Sequence, residues 1–356
     1  MRKIVVTSVI EQNKGNAGSK AKNDDRKILI SDGFVPMDIV VSQSRIKKLL
    51  FAELKLKNKI KTNVADEYII QYPLYSMLII QKMVSAIRKC HKNAKIIILI
   101  HDVESLRLRK GDFKYSQKER KLFNEVDALI VHNDAMSNYL RNLGIQTPMA
   151  SQGVFDYLNN QEIIKNDNYE KKVCFAGNLE KAAFLKNLEL VSSRCNVYGL
   201  PKPQEKYKNG VVYKGAFPAD ELPKYLDGDF GLIWDGLSLD TNDGVFGEYT
   251  KYNSPHKTSL YLSCGIPVIV WKEAGIARFI QKNNLGLIVE NIDNLDEVLN
   301  KISDSEYKQM KKNAENYAYK IRKGENVLRA LNECENLRSE ERRVGKECRS
   351  RWSPYH

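Results

Sequence analysis

The run Met77-Leu78-Ile79-Ile80-Gln81-Lys82-Met83-Val84-Ser85-Ala86-Ile87-Arg88-Lys89-Cys90, followed by Lys95-Ile96-Ile97-Ile98-Leu99-Ile100-His101-Asp102, decides the fold class. The first part is amphipathic and predicts a helix. The second is a short apolar strand that turns polar at His101. The same alternation extends outward in both directions. Residues 4–9, 37–41, 68–71 and Ala128–Val131 read as strands, and 17–30, 46–57, 117–124 and 135–142 as the helices between them. Repeated β-α-β requires a mostly parallel sheet covered on both faces. A second alternation starts at Val173-Cys174-Phe175-Ala176-Gly177 and continues through 195–198, 211–214, 230–234, 267–270 and Gly286–Val289. Polar residues 159–169 between the two read as a linker. The expected organisation is α/β: a first domain over 1–158, a linker over 159–170 and a second domain over 171–304. A helical segment over 305–337 is long enough to return to the first domain.

A chain of 356 residues suits two such domains. Hydrophobic residues make up 42% and charged residues 28%, a balance that excludes wholesale disorder. The longest unbroken apolar run, Ile96 to Ile100, falls far short of the ~18–20 residues that cross a bilayer. The start of the chain turns polar at Thr7-Ser8, so no secretory signal is expected. Six cysteines without CxxC spacing read as reduced thiols of a cytoplasmic protein, not as a disulfide frame or a zinc site. The net charge is +13. Residues 338–356 show no helical or strand period and resemble a vector-derived tail, so they read as non-native. Without residues 339–356 the charge is still +11, which favours anionic partners. The excess is spread along the chain without interleaved aromatic platforms, so a nucleic-acid partner is not expected.

Ligands of parallel sheets bind beyond the carboxyl ends of the strands. The loops there, over 11–19, 101–107, 177–181 and 235–257, are rich in polar residues and glycine. In Asn13-Lys14-Gly15-Asn16-Ala17-Gly18-Ser19-Lys20, bare N–H groups before a helix suit an anion or a sugar hydroxyl; the run equally suits a flexible loop with a helix start. In Gly177-Asn178-Leu179-Glu180-Lys181, the glycine admits close backbone approach and Lys181 can meet a phosphate, while Asn178 equally suits a plain N-cap. Asn253-Ser254-Pro255-His256-Lys257-Thr258 carries the sharpest signal. Pro255 suits a first turn, with Asn253 or Ser254 as cap. Lys257 then opposes the helix dipole unless an anion is present. A cation, the Thr258 hydroxyl and free N–H groups at one helix start describe a diphosphate site. His101 or Asp102, at a strand end, is placed to act as a base or to hold a sugar hydroxyl. Asp227-Gly228-Asp229 precedes a strand and reads as a turn, and no other metal-ligand spacing is seen. Over residues 45–61, seven cations surround Ile46, Leu49, Leu50, Leu54 and Leu56. Such a helix can lie on an anionic membrane or present a basic outer face while packed on a core.

Together these loops resemble bacterial β-1,6-galactofuranosyltransferases of O-antigen and exopolysaccharide synthesis. More distantly they resemble the glucosyltransferases that extend O-linked GlcNAc on streptococcal adhesins. The blocks that carry the likeness are Ala17-Gly18-Ser19-Lys20-Ala21-Lys22, Leu99 to Arg107, Phe175 to Leu179, Gly231 to Gly236, Gly247-Glu248-Tyr249 and Asn253 to Leu262. The resemblance implies a GT-B fold, two Rossmann-like domains facing each other across a cleft. The first would bind the acceptor, at Gly15, Ala17, Gly18, Lys20 and His101, and the second a UDP-sugar. It implies that Lys257, Lys181 and Asn178 hold the UDP diphosphate, with Gly177, Asn253, His256 and Thr258 nearby. Neither a metal nor another cofactor is expected, because cations and helix dipoles carry the leaving-group charge. The glucosyltransferases have an arginine where Lys181 stands; lysine keeps the charge and loses the bidentate fork.

The leading expectation is transfer of a hexose, best galactofuranose, from UDP to a glycan or lipid-linked glycan in cell-surface polysaccharide synthesis (O-antigen, exopolysaccharide, capsule). Asp102 or His101 would serve as base, and Lys257 would stabilise the leaving diphosphate. One alternative is a glucosyltransferase extending O-linked GlcNAc on a surface adhesin. Another is a non-catalytic GT-B partner subunit, which need not keep a phosphate site. The expected location is cytoplasmic, with peripheral contact at the inner face of the cell membrane; a homo-oligomer is left open.

Overall fold

The computed structural model describes residues 1–10, 17–42, 44–163, 165 and 168–350. In the first half β1 (Lys3–Ile10), α1 (Ala17–Ser31), β2 (Phe34–Val41) and α2 (Arg45–Leu50) lead through a π-helical turn, Phe51–Lys55, into α3 (Leu56–Thr62). Then follow β3 (Glu67–Tyr72), α4 (Met77–Cys90), β4 (Lys95–Ile100), α5 (Phe113–Asn124), β5 (Ala128–Val131), α6 (Asp134–Asn142) and β6 (Met149–Ser151). The second half opens with β7 (Lys172–Asn178), β8 (Arg194–Leu200), β9 (Val211–Gly215) and β10 (Phe230–Ile233). It continues with α7 (Gly244–Tyr249), α8 (His256–Ser263), β11 (Val268–Trp271), α9 (Ala277–Lys282), β12 (Gly286–Val289) and α10 (Leu295–Asn300). Two long helices, α11 (Asp304–Lys323) and α12 (Glu325–Ser350), end the described chain. The strands form two six-stranded sheets, β2-β1-β3-β4-β5-β6 and β12-β11-β10-β7-β8-β9. Every pairing is parallel, so both are Rossmann-like and the chain has the GT-B architecture.

Each sheet is buried on both faces, as parallel sheets require. One face of the first sheet packs on α3–α6, with Leu56, Ile80, Phe123 and Leu140 meeting Ile4, Tyr68, Ile98 and Leu129. The other face, with Val5, Ile69, Ile97 and Ile130, meets Ile28 and Leu29 of α1 and Val327, Ala330, Leu331 and Cys334 of α12. The last helix of the described chain therefore completes the first domain's core. It gets there by breaking away from α11 at Gly324, whose φ of 78° is left-handed. A Cβ there would lie 2.4 Å from the Ile28 side chain, so conformation and packing both demand glycine. The Asp156 carboxylate accepts the N–H groups of Asn326 and Val327 and caps the returning helix.

The strands expected from the alternation all form, some longer by a few residues. The differences lie in short or interrupted elements. The three-residue β6 and the six-residue α7, α9 and α10 were not foreseen. The segment expected as one helix over 46–57 is interrupted by the π turn, and that over 305–337 by Gly324. Residues after 337, which lack a period, are helical as far as Ser350. Asp227 and Asp229 do serve a turn: Asp229 accepts the N–H groups of Glu170 and Lys172, and Asp227 meets Asn196. Five cysteines among the described residues are free thiols. No helix among the described residues is long and apolar enough to cross a membrane.

Gly231 on β10 fixes the seat of α8. A Cβ there would stand 2.2 Å from the buried ring of Tyr261, whose hydroxyl accepts the Ala176 N–H at 2.6 Å. Gly231→Ala should therefore lower the unfolding free energy by about 1–3 kcal/mol, read by urea denaturation. An unchanged midpoint would mean the ring moves aside freely.

Candidate active site

β4 ends in a fully buried run and delivers His101 and Asp102 to the edge of the first sheet. β5 does the same one strand over with His132 and Asn133. The second domain meets them there through α7, α8 and the turn before α8. Ser254 N–H donates to His132 Nδ1 at 3.0 Å, the Ser254 hydroxyl donates to the Gly153 carbonyl at 2.6 Å, and Asn133 Nδ2 donates to that hydroxyl. The Tyr249 hydroxyl accepts the Val103 N–H at 2.9 Å and bonds the Asp102 carboxyl. These buried contacts close the floor of the cleft between the domains.

Asp102 pairs with Arg107 at 3.0 Å, and Arg107 also holds Glu104 at 2.9 Å. Burial raises the Asp102 carboxyl to about 6, with Arg107 pulling the other way. Beside it, burial lowers the Lys22 ammonium to about 7; its Nζ donates to the Pro73 carbonyl and Ser8 and lies 4.4 Å from the Tyr75 ring centre. His101 stacks on Phe155 at 5.4 Å, and neither ring nitrogen has a hydrogen-bond partner in the protein. Its Nε2 lies 3.6 Å from Asp25 Oδ2. Burial holds His101 well below the usual histidine range, and brings His132 and His256 to about 3. All three are therefore neutral at physiological pH.

From the second domain, Lys257 lies in the first turn of α8, whose N-cap is Pro255 itself, with no side-chain cap. That corrects the expectation of Pro255 within the turn and Asn253 or Ser254 as cap: Ser254 spends its hydroxyl on Gly153 instead. Nor is Lys257 uncompensated. Its Nζ donates to Asp235 Oδ1 at 2.6 Å and to the Trp234 carbonyl at 2.9 Å, over the Phe175 ring. The anion that the helix dipole demands is in the chain. Around the same helix start, Asn253 Oδ1, His256 Nε2 and Thr258 Oγ1 are buried without a protein partner. Asn178 accepts the Glu180 N–H, the plain cap weighed above. Exposed Lys181 rests 3.7 Å from the Phe246 ring centre. Burial and the facing Arg107 lower its ammonium, while Asp235 and Asp102 raise it, so charges of both domains meet here.

Of the expected acceptor residues, Gly15 lies outside the described residues, and Ala17 and Gly18 begin α1. Lys20 is paired within the chain. Its three donors are taken by Asp24 at 2.7 Å, the Leu158 carbonyl at 2.9 Å and, across the cleft, Asp220 at 3.1 Å. Lys22, Arg107, Asp235 and Tyr249 lie in blocks quoted from the sequence but were given no role there, and His132 lies outside those blocks. His132-Asn133 follows its strand as His101-Asp102 does, and that parallel was the available signal. No three His, Cys, Asp or Glu among the described residues form a group that could hold a metal.

Two facing Rossmann-like domains, with charged strand-end loops converging between them, define a GT-B glycosyltransferase. The chain belongs to the glucosyltransferase 3-like family: the N-terminal domain model matches residues 3–154 and the C-terminal domain model residues 173–334. It is 35% identical to the Beta-1,6-galactofuranosyltransferase WbbI of Escherichia coli K12 over 236 residues, 65% of this chain and 68% of that protein. It is 24% identical to Glucosyltransferase 3 of Streptococcus parasanguinis over 343 residues, 93% of this chain and 97% of that protein. Among solved structures, sucrose-phosphate synthase of Thermosynechococcus elongatus shares the fold with a TM-score of 0.56 at 12% identity, covering 98% of this chain and 100% of its own. WaaG, a glycosyltransferase of lipopolysaccharide biosynthesis, gives 0.53 at 13%, covering 91% and 99%.

Because Arg107 lowers the Asp102 carboxyl and burial raises it, removing the cation leaves burial unopposed. Carboxyl-labelled aspartate NMR should show a titration near pH 6 that vanishes in Asp102→Asn and moves upward in Arg107→Ala. A titration in the ordinary aspartate range would show that the carboxyl is solvated.

Proposed function

We propose that this glycosyltransferase moves galactofuranose, or another hexose, from UDP to a hydroxyl of a glycan or lipid-linked glycan. The donor lies on the second domain and the acceptor on the first. The name of the galactofuranosyltransferase relative supports the sugar. The observation that carries the donor site is the start of α8: a lysine beside three buried polar atoms, on Asn253, His256 and Thr258, that have no protein partner. A diphosphate there would meet Lys257, taking over from Asp235, and the N–H groups of the helix start. Lys181, on its loop after β7, would reach the same phosphates from the flank, with Gly177 and Asn178 at the strand end.

Transfer that gives a β product from an α-configured nucleotide sugar inverts the anomeric centre, so a base must take the acceptor proton. Asp102 fills that role: it is ionised above about pH 6, and Tyr249 and Arg107 hold it in place. His101, neutral and lying against Phe155, would hold the sugar or acceptor hydroxyl. As the bond to UDP breaks, negative charge grows on the β-phosphate, and Lys257 stabilises it more in the transition state than in the ground state. No step calls for a metal.

Purified protein with UDP-galactofuranose and a glucoside acceptor should turn over, and EDTA should leave the rate unchanged. Turnover should rise as pH passes about 6, and Asp102→Asn should abolish that limb. A profile flat through pH 6 would point to His101 as base instead. Lys257→Ala should weaken UDP binding by about 1.5–3 kcal/mol and cut turnover further. It should cost the unliganded protein no more than about 1 kcal/mol, because the pair with Asp235 is partly solvated. Unfolding of Lys257→Ala with normal UDP binding by the folded remainder would place the donor elsewhere.

A further inference from the structure

A helix on a globular protein ordinarily turns its apolar residues inward. The segment that leaves β2 does so with Ala52, Leu56 and Ile60, which are buried. A second apolar row, at the same four-residue spacing, faces solvent: Ile46 is 71% exposed, Leu50 51% and Leu54 70%, with Leu49 beside them at 50%. Around it stand Arg45, Lys47, Lys48, Lys55, Lys57 and Lys61, none in an ion pair among the described residues. The segment's one carboxylate, Glu53, is taken by Lys82 at 2.8 Å. The core-packed alternative considered from sequence does not account for these exposures.

We propose that this surface docks on a bilayer bearing anionic headgroups. It deepens the lipid-linked acceptor reading above. Charge complementarity selects the occupant. Protein interfaces bury apolar centres from which lysine is depleted, and nucleic acid offers an aliphatic row nothing to enter. A membrane surface satisfies both parts, with the aliphatic side chains at the acyl boundary and the lysines among the phosphates. The placement is productive: α2 leaves the carboxyl end of β2, the same end of the sheet at which β4 delivers His101 and Asp102. Docking sets the mouth of the acceptor side close to the headgroups.

The full chain should co-sediment with vesicles of phosphatidylcholine and phosphatidylglycerol, not with phosphatidylcholine alone, and less as salt rises. Lys47→Gln and Lys55→Gln should each weaken the partition by roughly fivefold. Leu50→Gln with Leu54→Gln should weaken it by more. All four positions are on the surface, so melting temperature and turnover of a water-soluble acceptor should stay at the parent's values. That soluble assay keeps failure of the membrane proposal separate from failure of the transfer reading. Equal binding to both vesicles, binding that ignores these substitutions, or no binding would overturn the proposal. So would a dimer by light scattering that Leu50→Gln with Leu54→Gln dissociates, since a second copy would then cover the face.

Discussion

A parallel sheet has two apolar faces, and the first sheet of this chain has enough helices nearby for one of them. Four helices cover the face that carries Tyr68 and Ile98, while α1 alone cannot cover the face that carries Ile69 and Ile97. The missing cover comes from the far end of the described chain. α12 brings Val327, Ala330, Leu331 and Cys334 onto that face, and Arg329 reaches the Ser151 and Gln152 carbonyls at the sheet's edge. The two domains are thus held by more than their cleft. Arg322 at the end of α11 bonds the Ser263 carbonyl behind α8 and the Gln161 carbonyl of the linker.

That double connection explains how charged groups of two domains can face each other at a defined spacing. The floor of the cleft is built from neutral bonds, with His132 and Tyr249 as acceptors. Above it the charges are placed in pairs, Asp102 with Arg107 and Lys257 with Asp235. A part-buried charge without a partner is costly, and each of these four groups has its counter-ion inside the chain. Neutral histidines around Phe155 let three imidazoles crowd together without repulsion.

The sheets were legible because their strands are apolar runs bounded by polar turns, as in Ile96 to Ile100 before His101. The family blocks were legible because most fall on strand ends and on the starts of α1 and α8, with Gly247 to Tyr249 in α7. What sequence did not show was pairing. Lys257 finds Asp235 twenty-two residues upstream, and Lys20 finds Asp220 two hundred residues downstream, so a free-looking lysine proved occupied. Short elements escaped for another reason: three or six residues, as in β6 or α9, are too few for a period to show. Glycine as a helix breaker was readable at Gly324 in principle, but neither its left-handed φ nor the proximity of Ile28, which together make it obligatory, shows in the sequence.

The returning helix also has a consequence for biosynthesis. Domains commonly fold in the order in which they leave the ribosome, at roughly 5–20 residues per second. Here β6 emerges at residue 149, yet the residues that seal its sheet begin at Val327. For about 10–35 s the nascent first domain carries an open apolar face, and the second domain's own core is complete only with Ile321 of α11. The half made first is the half finished last, so the exposed face of Val5, Ile69 and Ile130 is where a holding chaperone would find the growing chain.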